Sequence, residues 1–136
     1  MKHKIYNAIY GSIIGDALGV PFEFTDRSYL KNNPVTDMIG FGTYNFPKGT
    51  WSDDTSMTLC LAESIGRLKC IDYDDVMKNF LSWYKHAKFT PDKKVFDIGK
   101  TCLTSILNYC EKTKPIDCGL SDDCNNGNGS FRQSQE

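Results

Sequence analysis

Four segments of the chain carry apolar side chains at helical spacing. In the first, Ile5, Ala8, Ile9, Ser12, Ile13, Asp16 and Ala17 repeat every three or four positions up to Pro21, which ends the element. In the second, Met57, Cys60, Leu61, Ser64, Ile65 and Leu68 form one stripe on a helix expected from about Asp53 to Lys69. Val76, Met77, Phe80, Leu81 and Tyr84, widened by Trp83, supply a third stripe, whose helix starts at the cap residue Asp72. Ile98, Cys102, Ser105, Ile106 and Tyr109 supply a fourth, with Asp97 expected at its start as the cap.

The pattern lapses in two places. Residues 25–48 are rich in Asn, Gly, Pro and Thr with no sustained period, which predicts a long loop with turns at Asn32-Asn33-Pro34 and Gly40-Phe41-Gly42. Loops of that length inside a domain tend to carry function. From Lys112 onward the chain is polar, and Asn126-Gly127-Asn128-Gly129-Ser130 has the composition of loop or disorder. The fold class expected is all-α. At 136 residues one domain is expected, burying about two-thirds of the surface of its unfolded chain.

Charge and cysteine usage narrow the classes of function. A net charge of -1 with interspersed signs gives no basic stripe for a phosphate backbone, so no nucleic-acid partner is expected. No apolar run approaches the length of a membrane span, and Met1-Lys2-His3-Lys4-Ile5 lacks the apolar core of a signal peptide, so an intracellular, cytoplasmic chain without a membrane partner is expected. The six cysteines contain no CxxC pair, and Cys60 and Cys102 fall on helix stripes, which favours reduced thiols, two of them filling the core. A metal site at Cys110, Cys118 and Cys124 would need irregular spacing.

Candidate chemistry centres on Gly49-Thr50-Trp51-Ser52-Asp53-Asp54-Thr55-Ser56-Met57. Ser52 or Asp53 can cap the helix that follows, and the acids complement its dipole. The capping box is incomplete, because neither Thr55 nor Ser56 is a Glu or Gln. Two carboxylates and a hydroxyl on one short arc also make hard oxygen donors of the kind that suit Mg²⁺, Mn²⁺ or Ca²⁺, although a second ligand group from elsewhere would be required. Asp16, flanked by Gly15 and Gly19, is an unusual charge on an apolar helix and reads as a solvated acid or a cap. Glu23 lies between Phe22 and Phe24, where it either points to water while the rings pack inward or is partly desolvated and suited to proton transfer.

Three motifs in this order, Gly15-Asp16-Ala17-Leu18-Gly19-Val20-Pro21-Phe22-Glu23-Phe24, then Trp51-Ser52-Asp53-Asp54-Thr55-Ser56-Met57, then Phe96-Asp97-Ile98-Gly99-Lys100-Thr101, resemble the ADP-ribosylglycohydrolase family. The stretch 126–130 is similar to the glycine-rich loop of that family. The resemblance implies the N-terminal portion of a helical fold over residues 1–130, followed by a divergent tail at 131–136. It implies hydrolysis of the glycosidic bond joining ADP-ribose to a protein side chain or small acceptor, with ADP-ribose or an ADP-ribosylated protein as partner and Mg²⁺ as cofactor. By resemblance, Ser52, Asp53 and Asp54 are metal ligands, Glu23 and Asp97 are catalytic, and Gly127, Asn128, Gly129 and Ser130 cradle phosphate. The later acidic motif that completes the two-metal site of the family is absent from the sequence, so half of the metal ligands are represented. A non-catalytic homologue that binds ADP-ribose, or serves structurally as lens crystallins of this family do, is the alternative. With part of the fold missing, the helical stripes are expected to leave apolar surface exposed.

Overall fold

In a computed structural model of the chain, residues 2–120 are described. The elements in order are α1 (Lys2–Gly19), a 3₁₀ turn (Val20–Phe22), α2 (Arg27–Asn32), α3 (Asp53–Leu68), α4 (Tyr73–His86), α5 (Lys100–Cys110) and a second 3₁₀ turn (Pro115–Asp117). The described residues contain no strand, and the all-α expectation holds. The chain divides into two compact units, Met1–Thr55 and Ser56–Glu136.

In the first unit, α1 runs from Lys2 to Gly19 and tightens into the 3₁₀ turn, where Pro21 is accommodated in the first turn because its missing N–H has no helical partner there. Ala17 and Val20 are the buried apolar residues of this segment. The segment expected to be a long loop contains α2. The Asp26 carboxylate starts it by accepting the Ser28 and Tyr29 amides at 2.8 and 3.1 Å. Six residues are too few to show a period, so the cap was the only signal that the sequence offered.

The second unit holds the main core. Cys60 of α3, Val76, Phe80 and Trp83 of α4 and Ile106 of α5 form a buried cluster, with Met57, Met77, Phe89, Val95 and Ile98 packed against it. Helix α4 begins as the sequence predicts, with the Asp72 carboxylate accepting the amides of Asp74 and Asp75. Tyr109 of α5 donates to the Asp74 carboxylate at 2.8 Å and so fastens α5 to the start of α4. Burial and this negative neighbour push the Tyr109 phenol up to about 12.

Helix α3 turns a different face inward from the one its hydropathy predicts. Ser56, Cys60 and Ser64 are buried, whereas Leu61, Ile65 and Leu68 are more than a third exposed. The buried hydroxyls are satisfied by specific acceptors. Ser56 donates to the Phe89 carbonyl at 3.1 Å, and Ser64 donates to the Asp75 carboxylate at 2.6 Å. The same carboxylate receives Arg67 of α3 at 2.5 Å, while Glu63 takes the Asn79 amide at 2.6 Å and Asn79 in turn accepts from Lys88 at 2.9 Å. The Arg67 guanidinium and the Ser64 hydroxyl hold the Asp75 carboxyl below its ordinary value, and Asn79 and Arg67 do the same for Glu63. A polar clamp therefore joins α3 to α4 along an edge where hydropathy sees only small and charged residues.

The last helix starts at Lys100 with Gly99, which has no side chain to offer, at its cap position. Asp97, expected to cap it, instead sits two residues upstream with φ 58°, in the left-handed region that a right-handed helix cannot contain. Five of the six cysteines lie among the described residues, and no two of these five are joined in a disulfide. Cys60 belongs to the core and Cys118 is also buried, whereas Cys102 is only partly buried.

Candidate active site

The acidic stretch is built from the first unit alone. Ser52 caps α3 locally, its Oγ accepting the Asp54 amide at 3.3 Å. The stronger cap comes from 36 residues upstream. One carboxylate oxygen of Asp16 accepts the Ser52 amide at 3.0 Å and the Thr55 amide at 3.1 Å. A charged acceptor thus satisfies two amide donors around the first turn of α3. The odd acid on α1 is explained: it fixes the start of α3 against the end of α1.

Burial grades across the stretch. Ser52 is 6% exposed, Asp53 is half-buried, and Asp54 is exposed. Thr55 is fully buried, yet its Oγ1 has no hydrogen-bond partner among the described residues. An orphaned buried hydroxyl costs about 1–3 kcal/mol relative to a paired one. Thr55→Val, which keeps the shape and removes the hydroxyl, is therefore expected to leave the stability unchanged or raise it by about 1 kcal/mol in a urea denaturation. A loss of stability would show that the hydroxyl is bonded.

Glu23 follows the 3₁₀ turn and is half-buried. Of the two rings beside it, Phe24 is 83% exposed with φ 59°, so the Glu23 carboxylate is not enclosed between aromatics, nor do both rings pack inward. The turn is instead held by the loop of residues 40–46. Thr43 donates its amide to the Pro21 carbonyl at 3.1 Å and its hydroxyl to the Glu23 carbonyl at 2.6 Å. Gly42 makes this approach possible, because a Cβ there would lie 2.0 Å from the Pro21 oxygen and 2.6 Å from its Cα. Both are backbone atoms that cannot rotate away. Gly42→Ala is expected to unlatch the loop at a cost of about 1–3 kcal/mol and to abolish hydrogen-exchange protection of the Thr43 amide. Retained protection would mean that the turn tolerates a side chain there.

Asp97 belongs to the second unit, half-buried in its left-handed conformation. Non-glycine residues in that region cost of order 1 kcal/mol and cluster at functional sites, although Asp tolerates it better than most. Gly127, Asn128, Gly129 and Ser130 lie outside the described residues, as does Cys124. Asp16, which the sequence leaves as either a solvated acid or a cap, is a cap, but for a helix start 36 residues further on. Its signal was its position, a lone acid between glycines on an apolar helix.

The oxygens of Ser52, Asp53 and Asp54 fit a hard divalent cation in kind, and the orphaned Thr55 hydroxyl adds polarity beside them. In number they make a partial set, since no three His, Cys, Asp or Glu side chains among the described residues gather as a metal site.

An all-helical chain whose acidic helix start is held by a remote aspartate, with Glu23 on an adjoining latched turn, matches the class to which its motifs point. The model of the ADP-ribosylglycohydrolase family matches residues 1–134, and the chain belongs to that family. It is 38% identical over 106 residues to an ADP-ribosylarginine hydrolase of Serratia proteamaculans, a match covering 78% of this chain and 28% of that protein. It is 34% identical over 102 residues to an ADP-ribosylarginine hydrolase of Pseudomonas putida, covering 75% of this chain and 27% of that protein. It is 30% identical over 108 residues to the ADP-ribosyl-[dinitrogen reductase] glycohydrolase of Rhodospirillum rubrum, covering 78% and 34%. The chain thus spans about a third or less of the length of these relatives. No helix among the described residues is long and apolar enough to cross a membrane.

Proposed function

We propose that this chain is the part of an ADP-ribosylglycohydrolase that carries the first half of a Mg²⁺ site and one wall of an ADP-ribose site, in a hydrolase that releases ADP-ribose from a protein side chain. The observation that carries this reading is the double cap from Asp16, which pre-sets Ser52, Asp53 and Asp54 on the first turn of α3. In this reading Ser52, Asp53 and Asp54 hold the cation. When bound, the cation supplies Lewis acidity at the ribose hydroxyls. Glu23 orients the attacking water and accepts its proton, from a turn held rigid by Thr43. Asp97 contacts the ribose, and its negative charge favours the oxocarbenium character of the transition state. Gly127 to Ser130 offer backbone amides to the phosphates. The names of the two hydrolases from Serratia and Pseudomonas support arginine as the acceptor side chain.

The decisive experiment is calorimetric titration of the metal-free chain with Mg²⁺, with and without ADP-ribose. Each ligand is expected to tighten the other, and Asp53→Asn combined with Asp54→Asn is expected to abolish the metal heat without loss of cooperative melting. A cooperatively folded chain that gives no heat with either ligand overturns the reading and leaves a non-catalytic homologue as the alternative.

A further inference from the structure

We propose that the loop of residues 40–50 braces the Glu23 turn against the start of α3, with Thr43 as the positioning residue, so that Ser52, Asp53 and Asp54 closing on a cation also tighten the turn that carries Glu23. This coupling rests on the proposed function and lies inside the same site. All of the residues concerned belong to the first unit, Met1–Thr55.

The brace is stiff because its backbone folds on itself. The Phe41 amide donates to the Phe46 carbonyl at 2.7 Å and the Asn45 amide to the Gly42 carbonyl at 3.1 Å. Gly40 lies so close to the returning arm that a Cβ there would be 2.6 Å from the Lys48 nitrogen and 3.1 Å from the Pro47 carbonyl carbon. As at Gly42, glycine is what lets two backbones meet. The arm then runs directly into the acidic stretch, through Gly49 at φ 85° and through Thr50, which is 4% exposed and donates its amide to the Pro47 carbonyl at 3.3 Å.

At its other end the brace grips both sides of the Glu23 turn, through the Thr43 amide on the Pro21 carbonyl and the Thr43 hydroxyl on the Glu23 carbonyl. Helix α1 closes the circuit, because Asp16 near its end holds the Ser52 and Thr55 amides. The Glu23 turn and the start of α3 are thus joined twice, once through α1 by Asp16 and once through the loop by Thr43. Two elements joined at one point can swing about it, whereas two joins allow movement only when one of them opens. Convergence of the Ser52, Asp53 and Asp54 oxygens on a cation favours the closed arrangement and so opposes opening at Thr43. By linkage, opening at Thr43 weakens the cation by the same factor.

The test is amide hydrogen exchange of the full chain with and without saturating Mg²⁺. It is read at Thr43 and at Thr25, whose amide closes the Glu23 turn on the Phe22 carbonyl at 3.0 Å. Mg²⁺ is expected to slow both amides by about fivefold or more, the lower end of ordinary coupling between sites. Thr43→Val keeps the shape and the amide but loses the hydroxyl bond to Glu23, and is expected to weaken Mg²⁺ binding by about the same factor, with Thr43→Ser restoring it. If Mg²⁺ binds the unaltered chain and both exchange rates stay the same, the coupling is overturned and the proposed function stands. A folded valine variant that binds Mg²⁺ as tightly as the unaltered chain has the same meaning. The exchange measurement uses the unaltered chain, so it decides the matter even where the valine variant fails to fold. A cooperatively folded chain that binds no Mg²⁺ overturns the proposed function and the coupling together.

Discussion

Asp16→Ala is expected to destabilise the chain by about 3 kcal/mol, the upper range for hydrogen bonds to a charged acceptor. The substitution strips the acceptor from two part-buried amides, Ser52 and Thr55, and removes a negative charge from the positive end of α3. Asp16→Asn keeps an oxygen at the same place without the charge, and is expected to cost about half as much. Urea unfolding of both variants separates the two contributions. The substitutions should also weaken the titration with Mg²⁺ while leaving every proposed ligand intact, because the first turn of α3 is no longer fixed. Equal stability of Asp16→Ala and the unaltered chain would remove the capping role.

The largest loss is expected at the core of the second unit. Trp83 is 1% exposed and belongs to one buried cluster with Cys60, Val76, Phe80 and Ile106. Trp83→Ala is expected to cost about 4 kcal/mol, since the space of an indole cannot be closed by small shifts of its neighbours. That is a large share of the stability of a domain this size, and the variant should lose its cooperative thermal transition near physiological temperature. Trp83→Phe gives the contrasting result. The indole Nε1 has no hydrogen-bond partner among the described residues, so phenylalanine discards an unsatisfied buried donor while retaining most of the packing. Its cost should be about 1 kcal/mol. A phenylalanine variant as unstable as the alanine variant would show that the donor is engaged.

The features legible in the sequence were those whose cause is local. Asp72 caps α4 two and three residues away, and the stripe of Val76, Phe80 and Trp83 repeats at helical spacing because all three point to one core. The features that escaped have causes far away along the chain. The role of Asp16 depends on amides 36 and 39 positions later. The inward face of α3 depends on acceptors at Phe89 and Asp75, which make Ser56 and Ser64 good interior residues despite their low hydropathy. The cap position expected at Asp97 falls at Gly99 instead, for a related reason. An acid ahead of an apolar stripe ordinarily caps it, but whether the backbone turns left-handed at that residue is decided by the packing around it. The metal and phosphate assignments came from motif resemblance, since neither acidic helix starts nor glycine-rich tails distinguish a ligand site from an ordinary surface by themselves.

Cys60, a small filler in the core, gives the second unit an internal clock. Burial pushes its thiol up to about 12, and its Sγ faces the Asn79 carbonyl at 3.5 Å between α3 and α4. The thiolate is the reactive form, so in the closed state Cys60 is chemically silent, whereas the exposed Cys70 and Cys110 are open to reagent. Alkylation of Cys60 can therefore proceed only through molecules in which the two helices have parted. Its rate measures how often they do so.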